Sequence, residues 1–146
     1  MDVQQLLEDE DDGWGKLLDA FARVPEERFE EPTLTLEGWS AKDAMFHLGY
    51  WLDDCARVLG AIGGGTFDAA AEDGLDIQAF NDEGFQRSRD MDATTVRTGS
   101  LEARAHARAA FGNLDVVTPE AWEWFEESGP LHYRKHVEDL DAWLQG

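Results

Sequence analysis

The sequence predicts an all-α fold, an antiparallel bundle of four main helices. Apolar residues recur at alternating spacings of three and four in four separate stretches. No stretch shows the sustained apolar–polar alternation of a strand, and glycines and prolines fall between the helical stretches. With 146 residues, the chain is long enough to bury one core without disulfide staples, so a single domain over residues 1–146 is expected.

The first helical stretch, "DVQQLLEDEDDGWGKLLDAFARV", sets Val3, Leu7, Trp14, Leu17, Phe21 and Val24 on one side. Glu10 and the Asp11-Asp12-Gly13 cluster interrupt that stripe, which predicts a kink or fraying in its first turns. Pro25 marks the end of the helix, and residues 25–39, with Pro32 and Gly38, read as a linker.

The second helix has the strongest start signal. Ser40 is an N-cap, and Asp43 three residues later completes a capping-box pattern with its charge at the positive helix end. Ala41, Met45, Leu48, Leu52, Cys55 and Leu59 then form a heptad-like seam, flanked by a stripe through His47, Trp51 and Asp54. Gly63-Gly64-Gly65 ends the helix. These glycines follow a helix rather than a strand and lack the Lys-Ser/Thr of a P-loop, so they read as an exit rather than a phosphate cradle.

Residues 66–91 hold one short amphipathic helix with Ile77, Phe80 and Phe85 on its apolar side. A third long helix runs from Asp92 to Leu114, with Val96, Ser100, Ala103, Ala107, Ala110 and Leu114 inward, small residues that allow close helix approach. Thr118 caps a short aromatic-rich helix with Pro119 in its first position, which stops at Gly129-Pro130. The last helix carries Tyr133, Val137, Leu140 and Leu144 on its seam.

Charge narrows the partners. Thirty-two acidic against twelve basic residues leave a net charge of −20, which repels phosphate backbones and disfavours nucleic acid. No apolar run reaches the roughly 18 residues of a membrane span, and the N-terminal stretch lacks a basic signal region, so a cytoplasmic protein is expected. The single Cys55 excludes an internal disulfide and a thiol-only metal site; on the core seam it reads as a small apolar residue.

Chemistry rests on histidines. His132 and His136 stand one turn apart in "LHYRKHVEDLDAWL" and can present two imidazoles to one point. Neutral imidazole suits a divalent Zn, Ni or Fe ion, but two ligands are too few. His47, flanking the seam of the second helix, is the candidate third. Three imidazoles leave a position open, the pattern of a catalytic metal. The alternative is two polar residues on a solvated face and a hydrogen-bonded histidine at the core edge. His106 has no partner spacing and reads as an edge histidine.

"LEGWSAKDAMFHLGYW" and "HYRKHVEDLDAWL" together resemble the DinB-like superfamily of metal-binding four-helix bundles. The superfamily includes mycothiol-dependent maleylpyruvate isomerase-like domains, bacillithiol transferases and the ClbS/DfsB group. The resemblance lies in Trp39-Ser40, Lys42-Asp43, His47 and the closing His132-x3-His136, and it spans nearly the whole chain. Phe80-Asn81 and the final segment look closest to ClbS/DfsB.

The resemblance implies an up-down-down-up topology with a long crossover between the second and third long helices. It also implies a divalent metal on His47, His132 and His136. The implied activities are metal-dependent transfer or isomerisation with a low-molecular-weight thiol, or protective hydrolysis of a reactive small molecule. A homodimer is compatible with the family. On this reading Asp43 and Asp139 are candidates to orient His47 and His136, and Tyr50 and Trp51 to wall a small-molecule pocket, with capping, surface charge and core packing as the alternatives. The rival function is a non-catalytic, stress-related binding or sequestering bundle. Neither reading identifies the substrate or establishes an enzyme.

Overall fold

The computed structural model describes residues 2–146, and the fold is all-helical. In chain order the elements are α1 (Val3–Ala22), a 3-10 turn (Glu26–Arg28), α2 (Ala41–Gly64), α3 (Ala69–Asp73), α4 (Ile77–Arg89), α5 (Ala93–Gly112), α6 (Pro119–Ser128) and α7 (Pro130–Gln145). Among the described residues no helix is long and apolar enough to cross a membrane.

Helix α2 is the centre of the assembly. It packs most extensively on α5 and also meets α4, α6 and α7, while α1 packs along α7. The seam read from sequence is the buried seam: Ala41, Met45, Leu48, Leu52, Cys55 and Leu59 all lie inside. The small inner face of α5 (Ser100, Ala103 and Ala107) is buried too, and Gly49 of α2 comes against Ser100 and Ala103. Two apolar clusters result. One joins Trp14, Leu17, Met45, Leu48, Val96, Tyr133 and Leu140. The other gathers Leu6, Cys55, Leu59, Phe111 and Phe125 beneath α6.

The caps follow the sequence signals. Ser40 and Asp43 form the reciprocal capping box, Thr118 caps α6 with Pro119 following, and Gly65 closes α2 in the left-handed conformation at φ 76°.

Helix α1 departs from expectation. It runs unbroken from Val3 to Ala22, with no fraying at the acidic cluster. Glu10 is the reason: it is 1% exposed and lies on the buried face between Leu6 and Trp14. Arg104 donates to both its oxygens at 2.9 and 2.7 Å, Tyr133 donates its hydroxyl at 2.8 Å, and Arg108 adds a further bond. The sequence stripe missed Glu10 because its partners lie about ninety or more residues away on α5 and α7.

The crossover between α2 and α5 holds two helices, not one. The short α3 is capped by Asp68 and tied to α2 by Arg57, which donates to Glu72 at 2.9 and 3.2 Å. Ile77 is 59% exposed, and the inner side of α4 is set by Phe80, Phe85, Gly84 and Ser88.

Candidate metal centre

His47 projects from the second turn of α2, and the start of that helix is held from three directions. The Asp43 carboxylate accepts from the Ser40 backbone N–H and hydroxyl at 2.8 and 2.9 Å, and from Ser88 of α4. Lys42, 4% exposed, donates to Glu30 at 3.0 Å and to the Met91 carbonyl at 2.6 Å. Trp39 sets its ring edge-on to His47 at 5.0 Å and stacks on Phe85 at 5.6 Å.

His132 and His136 are placed by the break between α6 and α7. Pro130 opens α7 and Gly129 separates the two helices. A Cβ at position 129 would lie 2.8 Å from the Phe125 carbonyl oxygen, so only glycine fits this tight junction. Tyr133 then turns inward to Glu10, and its neighbours on the α7 surface, His132 and His136, turn to α2.

The three imidazoles meet. His132 Nε2 lies 3.1 Å from His47 Nε2 and 3.1 Å from His136 Nε2, and all three ligand atoms fall within 4.8 Å of one another. Metal–imidazole bonds of about 2.0–2.1 Å separate neighbouring nitrogens by about 2.9–3.4 Å around one ion, so the two 3.1 Å separations fit a shared divalent metal. Protonation states fit as well. Burial pushes His47 down to about 3, aided by the charges of His132 and Lys135. Burial also lowers His132 to about 4, with Lys135 adding and a hydrogen bond to the Ser128 backbone opposing. His136, 9% exposed, is lowered furthest, by burial and then by the other two imidazoles. At neutral pH all three are uncharged, the state that ligates.

The triad lies against a cavity of about 670 Å³, lined in part by His47 and His132. Its walls come from α2 (Trp51), the crossover (Phe67, Leu75, Ile77) and α6 (Trp124). Trp51 is held by a hydrogen bond from its Nε1 to Asn81 Oδ1 at 2.8 Å and by Phe80 at 4.5 Å, so the Phe80-Asn81 pair docks α4 onto this wall.

The other candidates sort clearly. Trp51 lines the cavity; Tyr50 does not, and packs instead against Phe46, Phe80 and Gly84. Asp43 makes no hydrogen bond to His47, because Ser40 and Ser88 engage both its oxygens; it anchors α2 and α4. Asp139 faces Lys135 at 3.7 Å rather than His136. His106 pairs with Asp53 at 3.1 Å, away from the triad. Burial pushes the Cys55 thiol up to about 12, which leaves it an inert core residue. Trp124 and the carbonyl side of Ser128 escaped the sequence reading, since no spacing rule reveals which helix covers a site formed by two others.

Among known families, the model described as the mycothiol maleylpyruvate isomerase N-terminal domain matches residues 11–139. No curated protein and no solved structure matches.

Proposed function

Because the chain belongs to the mycothiol maleylpyruvate isomerase N-terminal domain family, we propose that it is a metal-dependent enzyme acting on a small molecule in the cavity beside His47, His132 and His136. The observation that carries this reading is the convergence of three neutral imidazoles, one buried and two half-buried, at the wall of a cavity of ligand size. In the same reading α1, α2, α5 and α7 form the family's up-down-down-up bundle as one domain, α3 and α4 lying in its long crossover. The cytoplasm, where small thiols are kept reduced, is the compartment that suits it.

A divalent ion held there supplies Lewis acidity toward a thiol, water or carbonyl group. The chain does the rest. Burial keeps the imidazoles unprotonated and ready to ligate. The Ser128 backbone holds the ring of His132, which leaves its Nε2 facing the other two histidines. Trp51, fixed by Asn81, and Trp124 provide flat apolar walls that exclude water from one side of a bound substrate. The reaction is thiol transfer, isomerisation or hydrolysis; hydrolysis turns over without an added thiol, and of the other two only transfer consumes it.

The test begins with the untagged chain reconstituted with Zn, Ni or Fe and measured by elemental analysis. About one equivalent bound, lost in His47→Ala with helical circular dichroism retained, is the expected result. Less than about a tenth of an equivalent rejects the site. Metal-loaded protein is then assayed with a low-molecular-weight thiol against a panel of electrophiles. Metal bound with no turnover over that panel would leave a binding protein and reject the enzyme.

A further inference from the structure

The cavity that holds the triad has a charge of its own. Its lining contains five carboxylates, Glu72, Asp73, Glu120, Glu123 and Glu127, and one cation, Lys135. Glu72 is neutralised by Arg57, and Lys135 approaches Asp139. The other four carboxylates have no salt-bridge partner among the described residues. Three of them, Glu120, Glu123 and Glu127, stand at helical spacing on the side of α6 that faces the cavity.

We propose that this cavity selects a cationic small molecule with an apolar or aromatic body, an amine or guanidinium compound, and discriminates against carboxylate and phosphate compounds. The proposal rests on the cavity-and-triad reading above and names its substrate class. Two kinds of surface meet in the cavity. Trp51, Trp124, Phe67 and Leu75 offer flat apolar faces suited to a hydrophobic body, and indole faces also attract cations. Asp73, Glu120, Glu123 and Glu127 line the same space, are exposed to solvent, and lack internal partners. With Glu72 paired to Arg57, four negative charges against one positive leave the lining at −3, and a divalent ion on the histidines would reduce that to −1. The lining therefore stays negative with the metal in place.

Burial and the neighbouring Glu123 and Glu126 raise the pKa of Glu127, so like-charge crowding at α6 is relieved by an incoming cation. An anionic substrate would meet that crowding instead, with only Lys135 in its favour.

The chain as a whole carries −20, so position must be separated from net charge. The probes are naphthylmethylammonium and naphthylacetate, similar in shape and opposite in charge. Binding is followed by the indole N–H NMR shifts of Trp51 and Trp124 in the full chain at low ionic strength. The chain is treated with chelator so that no ion competes for the carboxylate probe. If chelation lowers its helical circular dichroism, the zinc-loaded chain is titrated with the same expectation.

The ammonium should bind at least about tenfold more tightly than the carboxylate, and added salt should shrink the ratio. Joint replacement Asp73→Asn, Glu120→Gln, Glu123→Gln and Glu127→Gln should bring it to within about threefold. A control neutralises four exposed carboxylates outside the cavity, Asp12→Asn, Asp19→Asn, Glu102→Gln and Glu138→Gln, and should leave the ratio unchanged. Equal affinities, an anion preference, no shift with either probe, or an equal loss in the control would each overturn the proposal. Elemental analysis of the same protein after reconstitution with zinc keeps the two readings apart. Cation preference without metal loading would sink the metal alone, and metal loading without cation preference would sink the substrate class alone.

Discussion

Two polar clusters are buried against α7, and they are built on opposite logic. Around Glu10, one carboxylate meets two guanidinium groups and a phenol, so acceptors and donors of opposite character satisfy one another. Around His132, three like groups converge; His132 lowers the proton affinity of His47, and both lower that of His136. The first cluster is complete within the chain. In the second, His132 Nε2 has one lone pair for two neighbours, so one ring nitrogen stays unpaired until something electrophilic is shared between its members. A buried polar network that closes on itself reads as framework, whereas one whose members cannot satisfy one another reads as a binding site. Adjacent residues of one helix, His132 and Tyr133, belong to different clusters, so the framework fixes the rotation of α7 that aims the site.

The comparison breaks most visibly at Glu10. Glu10→Ala leaves Arg104 and Arg108 without their shared carboxylate and removes the Tyr133 acceptor. Urea unfolding should show a loss of about 3–5 kcal/mol. A loss below about 1 kcal/mol would mean the cluster is not framework.

Gly129 lies between the clusters, its position 3.5 Å from Glu10 Cγ by a notional Cβ and three residues before His132. Gly129→Ala forces a shift against the Phe125 carbonyl and should cost about 2 kcal/mol. Because the junction aims α7, the variant should also bind zinc more weakly; unchanged zinc affinity alongside the stability loss would detach the site from the junction.

Acid sharpens the contrast. Burial alone would raise the Glu10 carboxyl, but hydrogen bonds from Arg104 and Tyr133, the Arg104 charge and the Arg108 bond outweigh it and hold the group below its ordinary 4.5. A carboxyl lowered on folding stabilises the native state above its unfolded value, and that contribution fades as pH falls below about 4.5 toward the folded value. The difference in urea midpoint between the wild type and Glu10→Gln should therefore narrow from pH 6 to pH 3 (about three units). A constant difference would show that the charge contributes nothing.

The smallest effect on folding should come from the site itself. In metal-free protein His47→Ala should stay within about 1 kcal/mol of wild type, since it removes a group without an opposite partner. Zinc at about a hundredfold its dissociation constant should stabilise the wild type by about 2.7 kcal/mol and leave the variant unmoved. Equal stabilisation of both would locate zinc elsewhere.

How much of this was legible beforehand follows from the range of the interactions. Helix caps depend on residues three apart, so Ser40-Asp43 and Thr118-Pro119 could be read directly. The α2 seam and the inner face of α5 follow from periodicity, as does the alignment of His132 with His136. His47 could be named as a candidate from its place beside the α2 seam, but only the resemblance set it opposite the pair, because its partner is 85 residues distant. Glu10 misled because a charge on a helix normally faces water, and nothing local announces two arginines and a tyrosine from other helices. Asp43 and Asp139 misled in the opposite sense: each lies near a ligand in sequence but bonds elsewhere, to Ser40 and Ser88 or toward Lys135. The walls of the cavity, drawn from α2, the crossover and α6, required the tertiary arrangement itself.

The edge-on contact of Trp39 with His47, at 5.0 Å between ring centres, has an optical consequence. An indole that close to a ligand imidazole sits well inside the range of excited-state quenching by an ion with a partly filled d shell. Zinc, with a filled shell, has no such transitions. Nickel or iron entering the triad would dim the ultraviolet emission, whereas zinc would leave it nearly constant, so the protein carries a label-free dye that distinguishes which metal it has taken up.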